Sequence, residues 1–173
     1  AHLHLQENYR QLAQEGLSRL ARDCLLLPAE QFVDQLTANT YPHVSWSPHP
    51  LGQRQQIITE AIRFYRELAA GADAGAALAR LNERIILTPL RGGPTGCETL
   101  NLMIGRGLSA TDKFHGQAIM ITENAPQLGL ANGDTGLLWR DGEDGLQAVF
   151  LIGGAVAQFS LGSLPAHEAA YAM

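Results

Sequence analysis

Leu5, Tyr9, Leu12, Ala13, Leu17, Leu20, Ala21 and Cys24 recur at spacings of three and four with polar residues between them, which lays one apolar stripe along a helix. Leu27-Pro28 should close it, and Ala29 to Ala38 reads as a second, shorter helix. Asn39 to Leu51 carries Pro42, Pro48 and Pro50; each proline removes a backbone donor and restrains its predecessor, so the stretch predicts an irregular linker. Its histidines, His43 and His49, have no further metal ligands nearby and read as loop residues.

Gln53 to Ala70 presents Ile57, Ile58, Ala61, Ile62, Tyr65 and Leu68 on one side, with Gly71 just beyond, and predicts the strongest helix of the chain. Asp73 is placed to cap another, running to about Asn82. Arg84-Ile85-Ile86-Leu87-Thr88 is short, apolar and partly β-branched, and reads as a buried parallel strand. The loop Arg91 to Gly96 follows, and then a helix from Cys97 to Ile104 with Thr95 near its start.

From Gly116 the period shortens to two. Strands are predicted at Ile119 to Ile121, Gly136 to Arg140, Leu146 to Ile152 and Ala155 to Ser160. Asn132-Gly133, Asp141 to Gly145 and Gly153-Gly154 supply the reversals, the first as a type I′ turn that needs positive φ. Four or five short antiparallel strands suggest a small SH3-like barrel. Pro165 to Met173 leaves it as a helical or extended element that reads as cut short.

Charge changes this picture in one respect. The net charge of −5 argues against a stand-alone nucleic-acid binder. Residues 54 to 113 carry eight basic and six acidic groups, whereas 114 to 173 carry one basic group, Arg140, against six acidic ones, so contact with a phosphate backbone is expected from the middle of the chain. Cys24 and Cys97 read as reduced structural thiols, and the absence of a leader or a long apolar run predicts a cytoplasmic protein with no membrane segment. Lys113 is the one lysine and follows Asp112, so no Gly-x-x-x-x-Gly-Lys-Ser/Thr phosphate loop exists. Ser109, His115 and Asp134 have no nucleophile elbow and do not read as a triad. No catalytic residue and no metal site are expected in this chain.

Three blocks, in order, carry a family resemblance. Ile86 to Gly96 with Leu100-Asn101 resembles helicase motif IV; Gly116 to Asn124 with Leu128 to Gly136 is similar to an inserted SH3-like subdomain; Leu164-Pro165, His167-Glu168 and Tyr171 to Met173 resemble the run into motif V. Together, over about residues 84 to 173, they resemble the RecD-type subunit of RecBCD nuclease-helicases, which are superfamily-one 5′–3′ DNA helicases. The resemblance implies an α/β fragment: a helical lead-in at 1–83, part of a RecA-like (P-loop NTPase) second motor domain at 84–110, an SH3-like antiparallel β-barrel at 111–163, and a return toward motif V at 164–173. It further implies a parent that is an ATP-dependent helicase and exodeoxyribonuclease V subunit in recombination and repair, using ATP and Mg²⁺, acting on single-stranded DNA and assembling with RecB-like and RecC-like subunits. The isolated portion lacks the fuel pocket, and is expected to need no cofactor and to be inactive.

By that resemblance Arg91 is the nucleotide-binding candidate, since a guanidinium offers paired donors to a phosphate. Lys113, His115 and Asn124 are the DNA-binding candidates, while Asn132, Gly133, Asp134 and Gly136 read as turn chemistry. Asn101 reads as a structural residue bonding the preceding loop. Trp46 and Trp139 offer faces for base stacking or for packing, of which packing is favoured. Two rivals remain: a non-enzymatic interaction module of helices and an SH3-like barrel, suited to the acidic last third, and a relative such as a conjugative relaxase or Pif-type motor.

Overall fold

The computed structural model describes residues 15–48, 50–140, 142 and 145–173. Leu5, Tyr9, Leu12 and Ala13 of the first predicted stripe, and His49, lie outside these residues. The chain divides into two units, residues 1–50 and 51–173.

In the first unit, helix α1 (Glu15–Leu26) and helix α2 (Ala29–Thr37) flank Pro28, as the sequence predicts. Tyr41 is the anchor. Its hydroxyl donates to Asp23 Oδ2 at 3.2 Å, and the Arg19 guanidinium lies 5.4 Å from its ring centre. Burial, and then the hydrogen bond to Asp23, push the Tyr41 phenol up. Gly16 is required by a close approach, because a Cβ there would sit 1.8 Å from the Pro42 carbonyl oxygen. Of the described stripe, Leu17, Ala21 and Cys24 are exposed, as are Leu25 and Leu26 beyond it, and Cys24 is a surface thiol and not a structural one.

The second unit is α/β. Helix α3 (Pro50–Ala69) begins on a proline, whose missing donor is not needed in a first turn. Helix α4 (Ala74–Leu81) is capped as expected, with Asp73 Oδ1 accepting from the Ala76 amide at 2.6 Å. Helix α5 (Cys97–Leu108) starts from Gly96, so Thr95 is not its cap. Five strands follow: β1 (Gln117–Ile121), β2 (Thr135–Arg140), β3 (Leu146–Ile152), β4 (Ala155–Ser160) and β5 (His167–Ala169). They form one antiparallel sheet in the order β4-β3-β2-β1-β5, with β4 and β5 at its edges.

Both faces of the sheet are covered, which is why β2 reads Leu-Leu-Trp without a polar break. Leu137, Trp139 and Val149 face Ile58, Tyr65 and Leu68 of α3, Leu78 of α4 and Ile104 of α5 in one cluster. Leu138, Ala148 and Phe150 face the other way with Ile119, Ile121, Ala125 and Leu130. Alternate residues of a strand point to opposite faces, so each strand feeds both clusters. Each Val, Leu, Ile or Phe among them contributes roughly 1.5–3 kcal/mol by leaving water.

The turns differ from expectation in an instructive way. Gly153 and Gly154, at φ 58° and 85°, make the two-residue hairpin between β3 and β4 whose twist requires positive φ at both positions. At Asn132-Gly133 only Gly133 has positive φ (96°), with the Asp134 amide donating to the Ala131 carbonyl at 3.0 Å. That is the φ pattern of a type II turn, not type I′, and it closes a longer excursion from β1 to β2. Gly136 is not a turn residue: it pairs with Ile119 and Phe150 inside β2, and a Cβ there would lie 2.5 Å from the Val149 carbonyl oxygen.

Arg84 to Thr88 is the largest departure. It does not form a buried strand but makes a single parallel bridge, Ile86 to Ala172, supported by bonds from Met173 N to Ile86 O (3.0 Å) and from Thr88 N to Met173 O (2.9 Å). Ile85 is 48% exposed and Leu87 73%. Strand preference expresses fit to neighbours, and the bridge of this segment is to the one short stretch at 172–173.

Candidate functional site

The loop between Thr88 and α5 is drawn tight by backbone bonds from Cys97 N to Leu90 O (2.9 Å) and from Glu98 N to Arg91 O (3.1 Å). Gly93 takes φ 84°, and a Cβ on Gly96 would strike the Gly92 carbonyl, so both glycines are demanded by the closure. Arg54, on α3, donates to the Pro94 carbonyl at 3.1 Å and pins the loop from outside. Arg91 stands on this loop, 78% exposed, with Nε donating to Glu98 Oε1 at 2.8 Å. The bond to Glu98, and the charges of Glu98 and Glu168, hold its guanidinium above the ordinary value. Cys97 Sγ lies 3.6 Å from the Arg91 carbonyl oxygen.

Asn101 bonds elsewhere than expected. Its Nδ2 donates to the carbonyls of Ala169 and Ala172, both at 2.9 Å, and its Oδ1 accepts from the amides of Tyr171 (2.9 Å) and Ala172 (2.8 Å). A primary amide has two donors and two lone pairs, so its capacity is used in full. None of these bonds goes to the 91–96 loop.

Tyr171 adds a feature no local pattern announces. Its ring is buried edge-on to Tyr65 at 4.8 Å, and its hydroxyl has no hydrogen-bond partner among the described residues. Burial pushes the Tyr65 phenol up to about 12; it raises Tyr171 as well, and the neighbouring Tyr65 adds to that. The two rings border an apolar cleft of about 210 Å³ between α3 and residues 84–86, with Glu60 and Arg84 paired across its lining at 3.5 Å. The Gln56 amide chiefly holds the Glu60 carboxyl below its usual range; burial opposes it, and the Arg84 charge adds to the lowering.

The three residues singled out for DNA do not share one place. His115 bridges two elements: the Arg140 amide donates to Nδ1 at 2.9 Å, so Nδ1 carries no proton and Nε2–H donates to the Ala69 carbonyl, also at 2.9 Å. Its ring lies 4.2 Å from that of the buried Trp139. Lys113 is exposed two residues away. Asn124 belongs to the opposite end of β2, where its Oδ1 accepts from the Asn132 amide at 2.8 Å and Asp134 Oδ2 accepts from the Ala131 amide at 2.7 Å. The length of β2 separates the two ends by about 17 Å at about 3.3 Å per residue.

Ser109 bonds Thr111 at 2.9 Å, so Ser109, His115 and Asp134 each bond other groups and make no triad. Among the described residues no three His, Cys, Asp or Glu side chains converge to hold a metal, and no helix is long and apolar enough to cross a membrane. Trp46 is half-exposed in the first unit.

No protein-family model matches the chain. RecBCD enzyme subunit RecD of Mycolicibacterium smegmatis is 30% identical to it over 139 residues, which take in 76% of this chain and 24% of that protein. The chain therefore spans about a quarter of the length of the curated relative it matches.

Proposed function

We propose that the chain is a portion of a RecD-type, ATP-dependent 5′–3′ DNA helicase subunit of a RecBCD-type nuclease used in recombination and double-strand-break repair. The observation that carries this reading is the 30% identity to a RecD subunit over most of the chain. On this reading residues 84–110 are part of a RecA-like motor domain, 111–163 an SH3-like insertion and 164–173 the return to the motor domain. The single parallel bridge at Ile86 supports it, since parallel pairing belongs to sheets covered on both faces and here only one edge of the segment is paired.

On this reading the nucleotide pocket is not expected within this sequence. There is no phosphate loop, and Arg91 is engaged by Glu98, so ATP and Mg²⁺ belong to portions of the subunit outside this sequence. Arg91 is assigned to a nucleotide phosphate supplied from there, exchanging Glu98 for it. Of the DNA candidates Lys113 is favoured, because His115 and Asn124 already spend side-chain groups on backbone. RecB-like and RecC-like subunits are the assigned partners.

Sequencing the coding DNA on both sides tests the reading. A Gly-Lys-Thr loop upstream and Thr-x-His-Lys immediately downstream are expected; an independent start and stop without either would favour an interaction module, which the excess of acidic groups after residue 114 would suit. In a salt-dependent titration with single-stranded DNA, Lys113→Ala should weaken binding and lower the salt slope by about 0.7. Unchanged binding removes Lys113 from the strand path.

A further inference from the structure

Residues 169–173 are gripped from two sides. Asn101 takes the amides of Tyr171 and Ala172 and the carbonyls of Ala169 and Ala172, while Met173, the next residue, bonds Ile86 and Thr88. The chain bends at Tyr171, so that residues 169–172 bond α5 through Asn101 while Met173 bonds the 84–88 segment. A single carboxamide thereby does the work of a neighbouring strand. The same stretch continues β5, which pairs with β1 through Ile119, Met120 and Ile121. Arg91 lies three residues beyond Thr88, its carbonyl accepts from the Glu98 amide, and its side chain bonds Glu98 on the first turn of α5.

We propose that Asn101 is a positioning residue that fixes the Arg91 loop relative to the five-stranded sheet, so that sheet, loop and α5 move as one body. The proposal builds on the assignment of Arg91 to a phosphate, and supplies what that assignment lacks: a rigid reference for an arginine that is otherwise exposed. Among the described side chains, Asn101 bonds both amides and carbonyls of 169–172. Tyr171 reinforces the register, because its ring packs 3.7 Å from where a Cβ on Gly105 of α5 would sit.

Amide exchange and the Arg91 Nε–H resonance of the chain test this. Asn101→Leu keeps the bulk and removes all four bonds; Asn101→Asp keeps the two accepted bonds and loses the two donated ones. For Asn101→Leu, exchange at Tyr171, Ala172, Met173, Thr88 and Glu98 should quicken by about tenfold or more relative to Val149 and Phe150 in the sheet, and the Arg91 Nε–H should lose its protection. Asn101→Asp should give the same pattern at smaller amplitude, and decides the matter if the leucine variant does not fold. Quickening confined to Tyr171 and Ala172, or uniform across the sheet, would overturn the proposal. The phosphate assignment fails separately: Arg91→Ala in a complete RecD-type subunit would leave ATP turnover unchanged, with the exchange pattern of the Asn101 variants unaffected.

Discussion

Leu146–Ile152 and Arg84–Thr88 are both short runs of apolar, partly β-branched residues. The first is a central strand, paired with β2 and β4 along its length and buried at Ala148, Val149 and Phe150. The second makes one bridge and leaves Ile85 and Leu87 in solvent. The difference does not lie in the residues. β3 is joined to its neighbour by a two-glycine hairpin that costs little chain entropy to close, whereas 84–88 finds its partner only at 172–173, across the whole sheet. Apolar, β-branched sequence states a preference for a pleated surface; the surface has to be provided by other backbone.

The largest effect expected on this comparison is in the core. Leu138→Ala should lower unfolding free energy by about 3 kcal/mol in a denaturant titration, and Leu87→Ala by less than about 0.5 kcal/mol. Equal losses would show that the 84–88 segment is as firmly packed as the sheet, and the contrast would be gone.

The tyrosines where the two regions meet sharpen it next. Tyr65 and Tyr171 have folded phenols raised by burial, Tyr65 to about 12 from 10.0. A raised folded value means their contribution is fully present below pH 10 and is lost as pH rises through the folded values. Melting temperature should therefore hold up to about pH 10 and fall steeply toward pH 12, with Tyr65 accounting for roughly 3 kcal/mol. Tyr65→Phe should flatten that fall; an unaltered alkaline limb in Tyr65→Phe would mean that the cleft beside Ile86 is wet.

Smaller, and internal to the sheet, is the contrast between two glycines. Gly136→Ala drives a methyl into the Val149 carbonyl and the Phe150 ring and should cost about 2 kcal/mol. Gly133→Ala meets open space and suffers only its positive φ, about 1 kcal/mol. A reversal of that order would show that the turn, and not the strand pairing, holds the β1–β2 register.

What was legible in the sequence follows the same division. Strands β3 and β4 agree with expectation residue for residue, and Asp73 caps α4, because alternation, Gly-Gly and a capping carboxylate act within a few residues of themselves. The Arg91 loop was legible as a loop for the same reason, although its pairing with Glu98 was not. The true partners of Asn101 are 68 to 71 positions away, and those of His115 are 46 and 25, so side-chain chemistry alone marked these residues without telling whom they bond. Gly136 reads as turn chemistry in the sequence because no local pattern distinguishes a glycine that bends the chain from one that admits a neighbour. The orphan hydroxyl of Tyr171 had no local signal at all.

On the function we propose, this chain carries scaffold of a RecD-type motor without a nucleotide pocket. Phosphate release by the purified chain, supplied with ATP, Mg²⁺ and single-stranded DNA, tests it most directly. Release indistinguishable from buffer is expected, with and without DNA; steady DNA-stimulated turnover that Arg91→Ala abolishes would contradict it.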